Sequence, residues 1–428
     1  MNQIVNGTRQ LRGSLTLPPD KSISHRAAMF AAIAEGESVI HNYSDAADPQ
    51  STLVCLKQLG VPVEQQNGTV RISGVGRDGL QVPADDLDCG NSGTTMRLLS
   101  GILAGAGIKS RLIGDESLSS RTMQRIITPL TQMGASIKGQ NGDYAPLEID
   151  HSDKLRGIRY PLPIASAQLK SAVLLAGLFA EGDTEVIESV PSRDHTERLL
   201  QLPVENYGSS VIIKSNRSQH LPTQNYNVPG DFSAAAFWIA AGSIHPNAEI
   251  LMKNVGLNPS RTAALKILQE MGADIEIEPG TGNAMEPMGD VIVRSSQLRA
   301  VKLDPALIPN CIDELPILMV AMCFAEGRSE ISGAEELRHK ETDRLAAMAN
   351  VLRIAGEKFE EKTDGIIIQG TGSHQPGAGE FQSEHDHRIA MSAAVLAMMS
   401  AGKSEIINAE ATAISYPNFW DDLKLLTG

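Results

Sequence analysis

The chain has 428 residues, of which 42% are hydrophobic and 21% are charged, so it can bury a large core in two or more domains. The net charge of −14 and the 4% of aromatic residues argue against nucleic-acid binding, which needs a basic surface and stacking side chains. No apolar run approaches the roughly 20 residues that span a bilayer. Residues 1–12 lack the apolar centre of a signal peptide. These features predict an acidic enzyme without nucleic-acid or membrane partners.

The four cysteines show no CxxC pair and no spacing typical of disulfides. Such isolated thiols are typical of a reducing compartment, so we expect a cytoplasmic protein. The cysteines are Cys55, Cys89, Cys311 and Cys323.

Six stretches rich in small and apolar residues predict helices, and each runs into a short strand-like phrase such as Gly36-Glu-Ser-Val-Ile40. The leading glycine or asparagine stands at positions 36, 107, 182, 247, 327 and 402. A repeat of this length is a whole supersecondary unit rather than one turn of a solenoid. The predicted helices are Asp20–Glu35, Asn91–Ala106, Ala165–Glu181, Asp231–His245, Cys311–Glu326 and Asp386–Ala401.

A second amphipathic helix and further strands follow these phrases, as in Met123–Met133 and the strand that begins at Ala135. Each unit therefore reads β-α-β-α-β-β, with glycine as a helix C-cap. The first helix of each unit is apolar nearly all round, so we expect it to be buried. Six units predict an α/β protein of two domains, residues 20–229 and residues 1–19 with 230–428.

Two tempting motifs do not indicate a nucleotide or metal site. Gly74-Val-Gly-Arg-Asp-Gly79 fits the dinucleotide fingerprint, but the proline-blocked Leu80–Pro83 follows where a helix is required. We predict a hairpin turn there. His385 and His387 have no further ligands at a recognisable spacing, so we predict no metal site.

Cations stand at the starts of four of the six helices, where the positive end of the helix dipole disfavours them. Each one alone is explained by pairing with a capping Asp20 or Asp386, or by exposure of Lys170 to solvent. Taken together, they predict convergence on a bound polyanion. The residues concerned are Lys21, His25, Arg26, Arg97, Lys170 and Arg388, with Arg121 and Arg193 added from loops that follow the strand phrases.

The densest charged cluster is Arg338-His-Lys-Glu-Thr-Asp-Arg344. On a helix, Glu341 lies one turn from Arg344, which places a carboxylate beside an anion-binding cation; the alternative is a solvated face of ion pairs. Asp313 and Glu314 enter an otherwise apolar helix, and a buried carboxylate needs a partner or a role.

Five stretches, in chain order, closely resemble the 3-phosphoshikimate 1-carboxyvinyltransferase (EPSP synthase) family. The resemblance extends from about Leu11 to Phe419 and implies two inside-out α/β domains, each of three repeated units, with a cleft between them. The stretches are Asp20-Lys-Ser-Ile-Ser-His-Arg26, Gly90-Asn-Ser-Gly-Thr94, Ser166-Ala-Gln168, Arg338-His-Lys-Glu-Thr-Asp-Arg344 and Asp386-His-Arg388.

This resemblance implies transfer of the enolpyruvyl group of phosphoenolpyruvate to the 5-hydroxyl of shikimate 3-phosphate, in the pathway to chorismate, without metal or cofactor. It assigns Asp313 as the base at the hydroxyl and Glu341 as the proton carrier at C3, with Lys21 assisting. The implied shikimate 3-phosphate contacts are Lys21, Ser22, Arg26, Ser166, Ala167, Gln168, Arg193, Asp313 and Lys340. The implied phosphoenolpyruvate contacts are Lys21, Gly93, Arg121, Gln168, Arg344 and Arg388.

The chain departs from the family pattern near its end. Many relatives have a lysine just before the final Ser/Thr-aromatic-Pro element, but Ala411–Pro417 contains none. Glu336 and Leu98 also stand where some members have asparagine and proline. These departures predict weakened inhibition by glyphosate, whereas Gly93 leaves room for that inhibitor.

Two other functions are open to a chain of this kind. The related enolpyruvyl transferase that acts on UDP-N-acetylglucosamine uses a reactive cysteine, which Gly114–Arg121 lacks. A non-catalytic repeat scaffold would bind phosphorylated ligands without turnover. We expect a monomer whose partners are its two small-molecule substrates.

Overall fold

The computed structural model describes residues 1–152, 155–208, 210–280 and 285–428. The chain divides into two compact units, named here by their main segments. The 19–228 unit comprises Pro19–Val228 and Asn283–Glu286, and the 229–428 unit comprises Met1–Pro18, Pro229–Gly282 and Pro287–Gly428.

All six predicted first helices are present, and side-chain oxygens cap five of them by accepting backbone N–H groups. The fifth helix begins at Leu315 rather than at the predicted Cys311, because Cys311 ends a separate one-turn helix. The observed helices are Lys21–Ile33, Gly93–Ala106, Ala167–Gly177, Phe232–Ile244, Leu315–Cys323 and His387–Met398.

The first helices are buried as their sequences predict. Every residue of Phe232–Ile244, Leu315–Cys323 and His387–Met398 is buried. A helix that is apolar all round has no face suited to water, and placing it inside a layer of sheets removes that surface from solvent.

In the 19–228 unit the described residues form three four-stranded sheets with the same order. A first strand pairs in parallel with the strand after the buried helix, and an antiparallel hairpin completes each sheet. The sheets are 225–227, 35–41, 69–75 and 63–66; 87–88, 110–113, 144–150 and 136–140; and 159–161, 184–188, 210–215 and 204–207. The remaining helices are Ala47–Gln58, Glu116–Ser119, Gln124–Gln132 and His195–Leu199.

The 229–428 unit repeats this pattern with changes. Its described strands form the sheets 274–279, 288–294, 248–256 and 11–16; 326–331, 365–371 and 359–362; and 3–6, 403–407 and 380–382. In the last sheet the N-terminal strand stands in place of the usual hairpin. The remaining helices are Ala263–Glu270, Ile308–Cys311, Arg344–Ile354 and Phe419–Thr427, with 3-10 turns at Pro305–Leu307, Glu335–His339 and Ala409–Ile414.

Distant strands complete two of the sheets. Asn225–Asn227 pairs in parallel with Glu35–His41 in the 19–228 unit. Leu11–Thr16 pairs in parallel with Ala248–Gly256 in the 229–428 unit. In both cases the first strand of a repeat comes from a segment of the same unit that is distant in the chain.

The predicted glycine at helix ends is confirmed for second helices, because glycines with positive φ directly follow the C-cap residues of four of them, at Gly60, Gly134, Gly272 and Gly356. It is wrong for most of the first helices. Gly107 does cap its helix in the left-handed conformation, with φ of 64°. Gly36 and Gly327 instead lie inside the following strands, with φ of 107° and 113°. A side chain is strained at such angles, which explains why glycine leads the strand phrase.

The predicted hairpin at Gly74–Gly79 is also wrong. The strand Thr69–Val75 ends there in a turn, but the next strand, Leu87–Asp88, belongs to a different sheet. The segment is therefore a connection between two repeats.

Among the described residues, no single helix is long and apolar enough to cross a membrane. The bent pair Pro305–Cys311 and Leu315–Cys323 meets the criteria of length and composition only when its two parts are joined. No group of three or more His, Cys, Asp or Glu side chains in the described part of the chain is arranged to hold a metal ion.

Candidate active site

Lys21 opens the first helix of the 19–228 unit. Asp20 caps this helix by accepting the backbone N–H of Ile23 at 2.8 Å. The Nζ atom of Lys21 lies 3.0 Å from Oδ2 of Asp48, and both side chains are largely buried. The ammonium is thus held in place at a helix start, with Ser22 beside it, half-buried.

Arg26 lies one turn further along the same helix and is 3% exposed. Its Nε donates to Oγ1 of Thr196 at 2.8 Å, and its Nη2 donates to Oγ of Ser171 at 3.0 Å. Nη1 donates to the Ser22 carbonyl at 3.1 Å. Burial lowers the pKa of Arg26 to about 10. The guanidinium remains charged at neutral pH, and its direction is fixed by hydroxyl groups.

Gly93 begins the second buried helix, immediately after its cap Ser92. A Cβ atom on Gly93 would lie 2.7 Å from Nη1 of Arg97, which is closer than carbon and nitrogen can approach. Arg97 donates from Nη1 to Oε1 of Gln168 at 2.6 Å, and Gln168 donates to Oγ1 of Thr94 at 2.9 Å. The absence of a side chain at Gly93 therefore leaves this chain of hydrogen bonds intact.

Arg121 follows the short helix Glu116–Ser119. Its Nη2 donates to Oδ1 of Asn91 at 2.8 Å and to Oγ of Ser117 at 3.0 Å. The bond to Asn91 attaches Arg121 to the loop that leads into the Gly93 helix. Two predicted phosphoenolpyruvate contacts, Arg121 and Gly93, thus belong to one connected group.

The third buried helix begins with three predicted contact residues, of which Gln168 reaches the second buried helix. Ser166 caps the third buried helix by accepting the N–H of Leu169 at 3.4 Å, and Ala167 is the first residue of that helix. The bond between Gln168 and Arg97 joins this helix start to the second one. Arg193, half-buried, lies in the loop before the helix His195–Leu199.

Lys170 does not have the expected role. It is fully buried, with its Nζ 2.9 Å from Oε2 of Glu188 and 2.6 Å from Oε1 of Glu197. Two internal carboxylates already neutralise the ammonium. Neither exposure to solvent nor direct binding of a polyanion accounts for this lysine.

His25, another cation expected at a helix start, is also internal. Its Nδ1 lies 2.7 Å from Oγ1 of Thr52 within a fully buried environment. Burial, with the neighbouring charges of Lys21 and Arg26, holds the pKa of His25 well below its usual value. The imidazole is therefore neutral and contributes no positive charge to the site.

Arg344 is the centre of the site in the 229–428 unit. Its guanidinium is 1% exposed and contacts three carboxylates: Asp386 at 2.8 Å, Asp313 at 3.3 Å and Glu341 at 2.5 Å. Burial alone would lower the pKa of Arg344, but these three carboxylates raise it above its usual value. The two predicted proton-transfer groups, Asp313 and Glu341, are thus brought to one permanently charged side chain.

Lys340 lies beside Asp313, with 3.9 Å between its Nζ and Oδ1. Partial burial lowers the pKa of Lys340. The residue precedes the helix Arg344–Ile354, which Asp343 caps through the N–H of Ala346 at 3.0 Å. Residues 340–343 are not helical, so Glu341 meets Arg344 from the turn before the helix rather than from a helix face.

Arg388 opens the sixth buried helix and is 6% exposed. Its guanidinium lies 5.9 Å from the centre of the Phe237 ring. The buried Nε atom has no hydrogen-bond partner among the described residues. A buried donor without a partner costs free energy, which a bound anion would recover.

Glu314 is separate from this site although it adjoins Asp313. It is fully buried and accepts a hydrogen bond from the Ser233 hydroxyl, which also accepts one from Nη2 of Arg261 at 2.6 Å. Arg261 and Ser233 were not among the residues predicted from the sequence. Their positions near the starts of two helices were the available signal.

Comparison with known proteins identifies the family. The family model for EPSP synthase (3-phosphoshikimate 1-carboxyvinyltransferase) matches residues 5–423. The chain belongs to this family. It is 50% identical over 426 residues to the 3-phosphoshikimate 1-carboxyvinyltransferase of Salinibacter ruber, covering 99% of each chain. It is 48% identical over 428 residues to that of Prochlorococcus marinus, covering 97% of this chain and 96% of the relative.

Solved structures agree with this assignment to the EPSP synthase family. EPSP synthase from Acinetobacter baumannii has a TM-score of 0.88 at 40% identity, covering 100% of this chain and 98% of that one. The enolpyruvyl transferase NikO from Streptomyces tendae has a TM-score of 0.78 at 16% identity, covering 99% and 96%, and so shows the fold alone. The resemblance inferred from the five sequence stretches is confirmed.

Proposed function

We propose that this protein is a transferase that moves the enolpyruvyl group of phosphoenolpyruvate to the 5-hydroxyl of shikimate 3-phosphate and releases phosphate. Family membership over nearly the whole chain supports the reaction. The observation that carries the proposal is the Arg344 cluster, in which one buried guanidinium contacts both Asp313 and Glu341. The reaction needs a base, a proton carrier and a fixed cation, and this cluster provides all three types of group.

Shikimate 3-phosphate carries a dianionic phosphate and ring hydroxyls, which call for cations with fixed directions and for polar hydrogen-bonding groups. Arg26 suits the phosphate because hydroxyl groups already orient its guanidinium. Asp313 suits the reacting hydroxyl because it accepts hydrogen bonds when ionised. We propose that the contacts are Lys21, Ser22, Arg26, Ser166, Ala167, Gln168, Arg193, Asp313 and Lys340.

Phosphoenolpyruvate carries a phosphate and a carboxylate, so it needs several cations without a metal. Arg388 supports this assignment because its buried Nε lacks a hydrogen bond among the described residues. Gly93 leaves space beside a helix start whose backbone amides attract anions. We propose that the contacts are Lys21, Gly93, Arg121, Gln168, Arg344 and Arg388.

We propose that Asp313 removes the proton of the 5-hydroxyl while the hydroxyl oxygen forms a bond to C2 of phosphoenolpyruvate. Glu341 delivers a proton to C3, giving a tetrahedral intermediate. That intermediate loses phosphate as Glu341 takes a proton back from C3. The contact of Glu341 with Arg344 at 2.5 Å holds the carboxylate in one place, which supports its part in proton transfer. Lys21 assists by balancing negative charge.

Phosphate release from the purified protein tests this function. We expect release with shikimate 3-phosphate and phosphoenolpyruvate together, and none with UDP-N-acetylglucosamine as acceptor, because Gly114–Arg121 contains no cysteine. Release with only the nucleotide sugar would transfer the protein to the related enzyme class. Silence with both acceptors, together with tight binding of shikimate 3-phosphate, would indicate a binding protein.

We also infer that the protein acts as a monomer in the cytoplasm. The four cysteines are buried thiols, which supports a reducing compartment. Light scattering coupled to gel filtration tests the monomer, and the mass of two chains would refute it. Fractionation of the cells that produce the protein tests the compartment.

A further inference from the structure

Lys170 is a buried cation for which the proposed chemistry has no direct use. Its ammonium has three N–H donors, and three acceptors surround it: Glu188 at 2.9 Å, Glu197 at 2.6 Å and the Ser192 carbonyl at 3.4 Å. Burying an ammonium costs free energy unless each N–H donor has an acceptor, and here three acceptors match the three donors.

The three acceptors define one loop, named here the 188–197 loop. Glu188 ends the strand Thr184–Glu188, and Glu197 lies in the helix His195–Leu199. Glu188 also accepts hydrogen bonds from the N–H and the hydroxyl of Ser192. The ammonium of Lys170 therefore joins the two ends and the middle of the loop.

The 188–197 loop carries residues that meet the proposed substrate contacts. Arg193 directly follows Ser192, whose carbonyl accepts from Lys170. The hydroxyl of Thr196 accepts from Nε of Arg26 at 2.8 Å. Moving the loop would thus move one arginine and remove a hydrogen bond that orients the other.

We propose that Lys170 is a positioning residue for the binding of shikimate 3-phosphate. By fixing the 188–197 loop it sets the place of Arg193, and through Thr196 it sets the direction of Arg26. This inference rests on the proposed function, in which both arginines contact that substrate. Neither Arg26 nor Arg193 is among the proposed phosphoenolpyruvate contacts, so binding of phosphoenolpyruvate should not depend on Lys170.

The double variant Lys170→Met/Glu197→Gln tests the inference. It keeps the net charge of the buried group, and Glu188 retains its bonds from Ser192. The matched control is Lys214→Met. Lys214 also pairs with two glutamates, but it is 30% exposed and lies in the sheet that contains Glu188. Both are compared with the wild type in kcat, in KM for each substrate and in thermal midpoint.

We expect the double variant to raise KM for shikimate 3-phosphate by about tenfold to a hundredfold, the scale of a misplacement of about 1 Å. KM for phosphoenolpyruvate should stay unchanged, and the control should match the wild type. An unchanged KM for shikimate 3-phosphate in a folded double variant would overturn the inference. So would a parallel rise in both KM values, which indicates general loosening of the fold.

A second variant covers the case in which the double variant does not fold. Thr196→Val removes one hydroxyl and no charge, and it should raise KM for shikimate 3-phosphate several-fold. An unchanged value would refute the inference. If the wild type shows no turnover, the proposed reaction is wrong, and calorimetric titration with shikimate 3-phosphate decides the role of Lys170. Weaker binding by the variants supports it, and equal or absent binding throughout contradicts it.

Discussion

Replacing Arg344 with methionine should separate the cost of a buried charge from the loss of chemistry. The variant leaves three carboxylates without their guanidinium, of which Asp386 is fully buried while Glu341 and Asp313 are 24% and 18% exposed. Removing one partner of a buried ion pair costs about 3–5 kcal/mol. We expect the free energy of unfolding to fall by about this amount, mostly because of Asp386, since water still reaches the other two.

The double variant Arg344→Met/Asp386→Asn tests this reasoning. Asparagine is neutral and keeps the Oδ1 atom that accepts the N–H of Arg388 at 2.7 Å, so the helix cap remains. We expect recovery of about half of the lost stability or more. Turnover should stay absent, because a neutral pair supplies no cation for phosphoenolpyruvate. Urea denaturation and phosphate release measure the two effects on the same preparations.

A surface arginine with the same number of partners is the control. Arg294 lies near Glu249, Asp274 and Glu276 but is 37% exposed. Arg294→Met should leave the free energy of unfolding close to the wild-type value, because exposed ion pairs contribute little, and should leave turnover intact. A double variant that is no more stable than Arg344→Met would refute the claim that uncompensated charge at Asp386 causes the loss.

Three variants and one inhibitor give the remaining predictions. Gly93→Ala should raise KM for phosphoenolpyruvate about tenfold by displacing Arg97, which is equivalent to about 1.4 kcal/mol. An unchanged KM would argue against the proposed contact of Gly93 with phosphoenolpyruvate. Glu341→Gln should abolish phosphate release but retain calorimetric binding of shikimate 3-phosphate. Burial lowers the pKa of His25, so the unfolded chain takes up a proton below about pH 6.5 and stability falls there by up to about 1.4 kcal/mol per pH unit. His25→Asn should flatten that slope in urea titrations between pH 7 and 5. A micromolar inhibition constant for glyphosate would contradict the weakened inhibition predicted from Ala411–Pro417.

The repeat was predictable from sequence because it depends on local composition. Apolar helices such as Phe232–Ile244 are visible without knowledge of their partners. Glycine is required by a positive φ at four of the six leading positions, Gly36, Gly107, Gly182 and Gly327. The pairing of Leu11–Thr16 with Ala248–Gly256 joins segments more than two hundred residues apart. No local pattern contains that information.

The pairing of Lys170 was also not predictable from local sequence. Its position near a helix start indicated anion binding, but its partners Glu188 and Glu197 lie 18 and 27 residues later in the chain. An internal carboxylate and an external phosphate satisfy a cation equally well. The sequence therefore reveals the cations near such a site, but it does not show which of them bind substrate and which pair with internal carboxylates.

Arg261 and Arg344 make this division concrete, because they occupy similar places in successive repeats. Arg261 lies just before the helix Ala263–Glu270, and Arg344 opens the helix Arg344–Ile354. Each reaches a carboxylate of the Asp313-Glu314 pair, but Arg261 approaches the fully buried Glu314 and Arg344 contacts the partly exposed Asp313. A carboxylate must be reachable to exchange a proton with a substrate. The repeat thus supplies the same cation twice, and exposure of the adjacent carboxylate is the reason we propose the Arg344 copy, rather than the Arg261 copy, for catalysis.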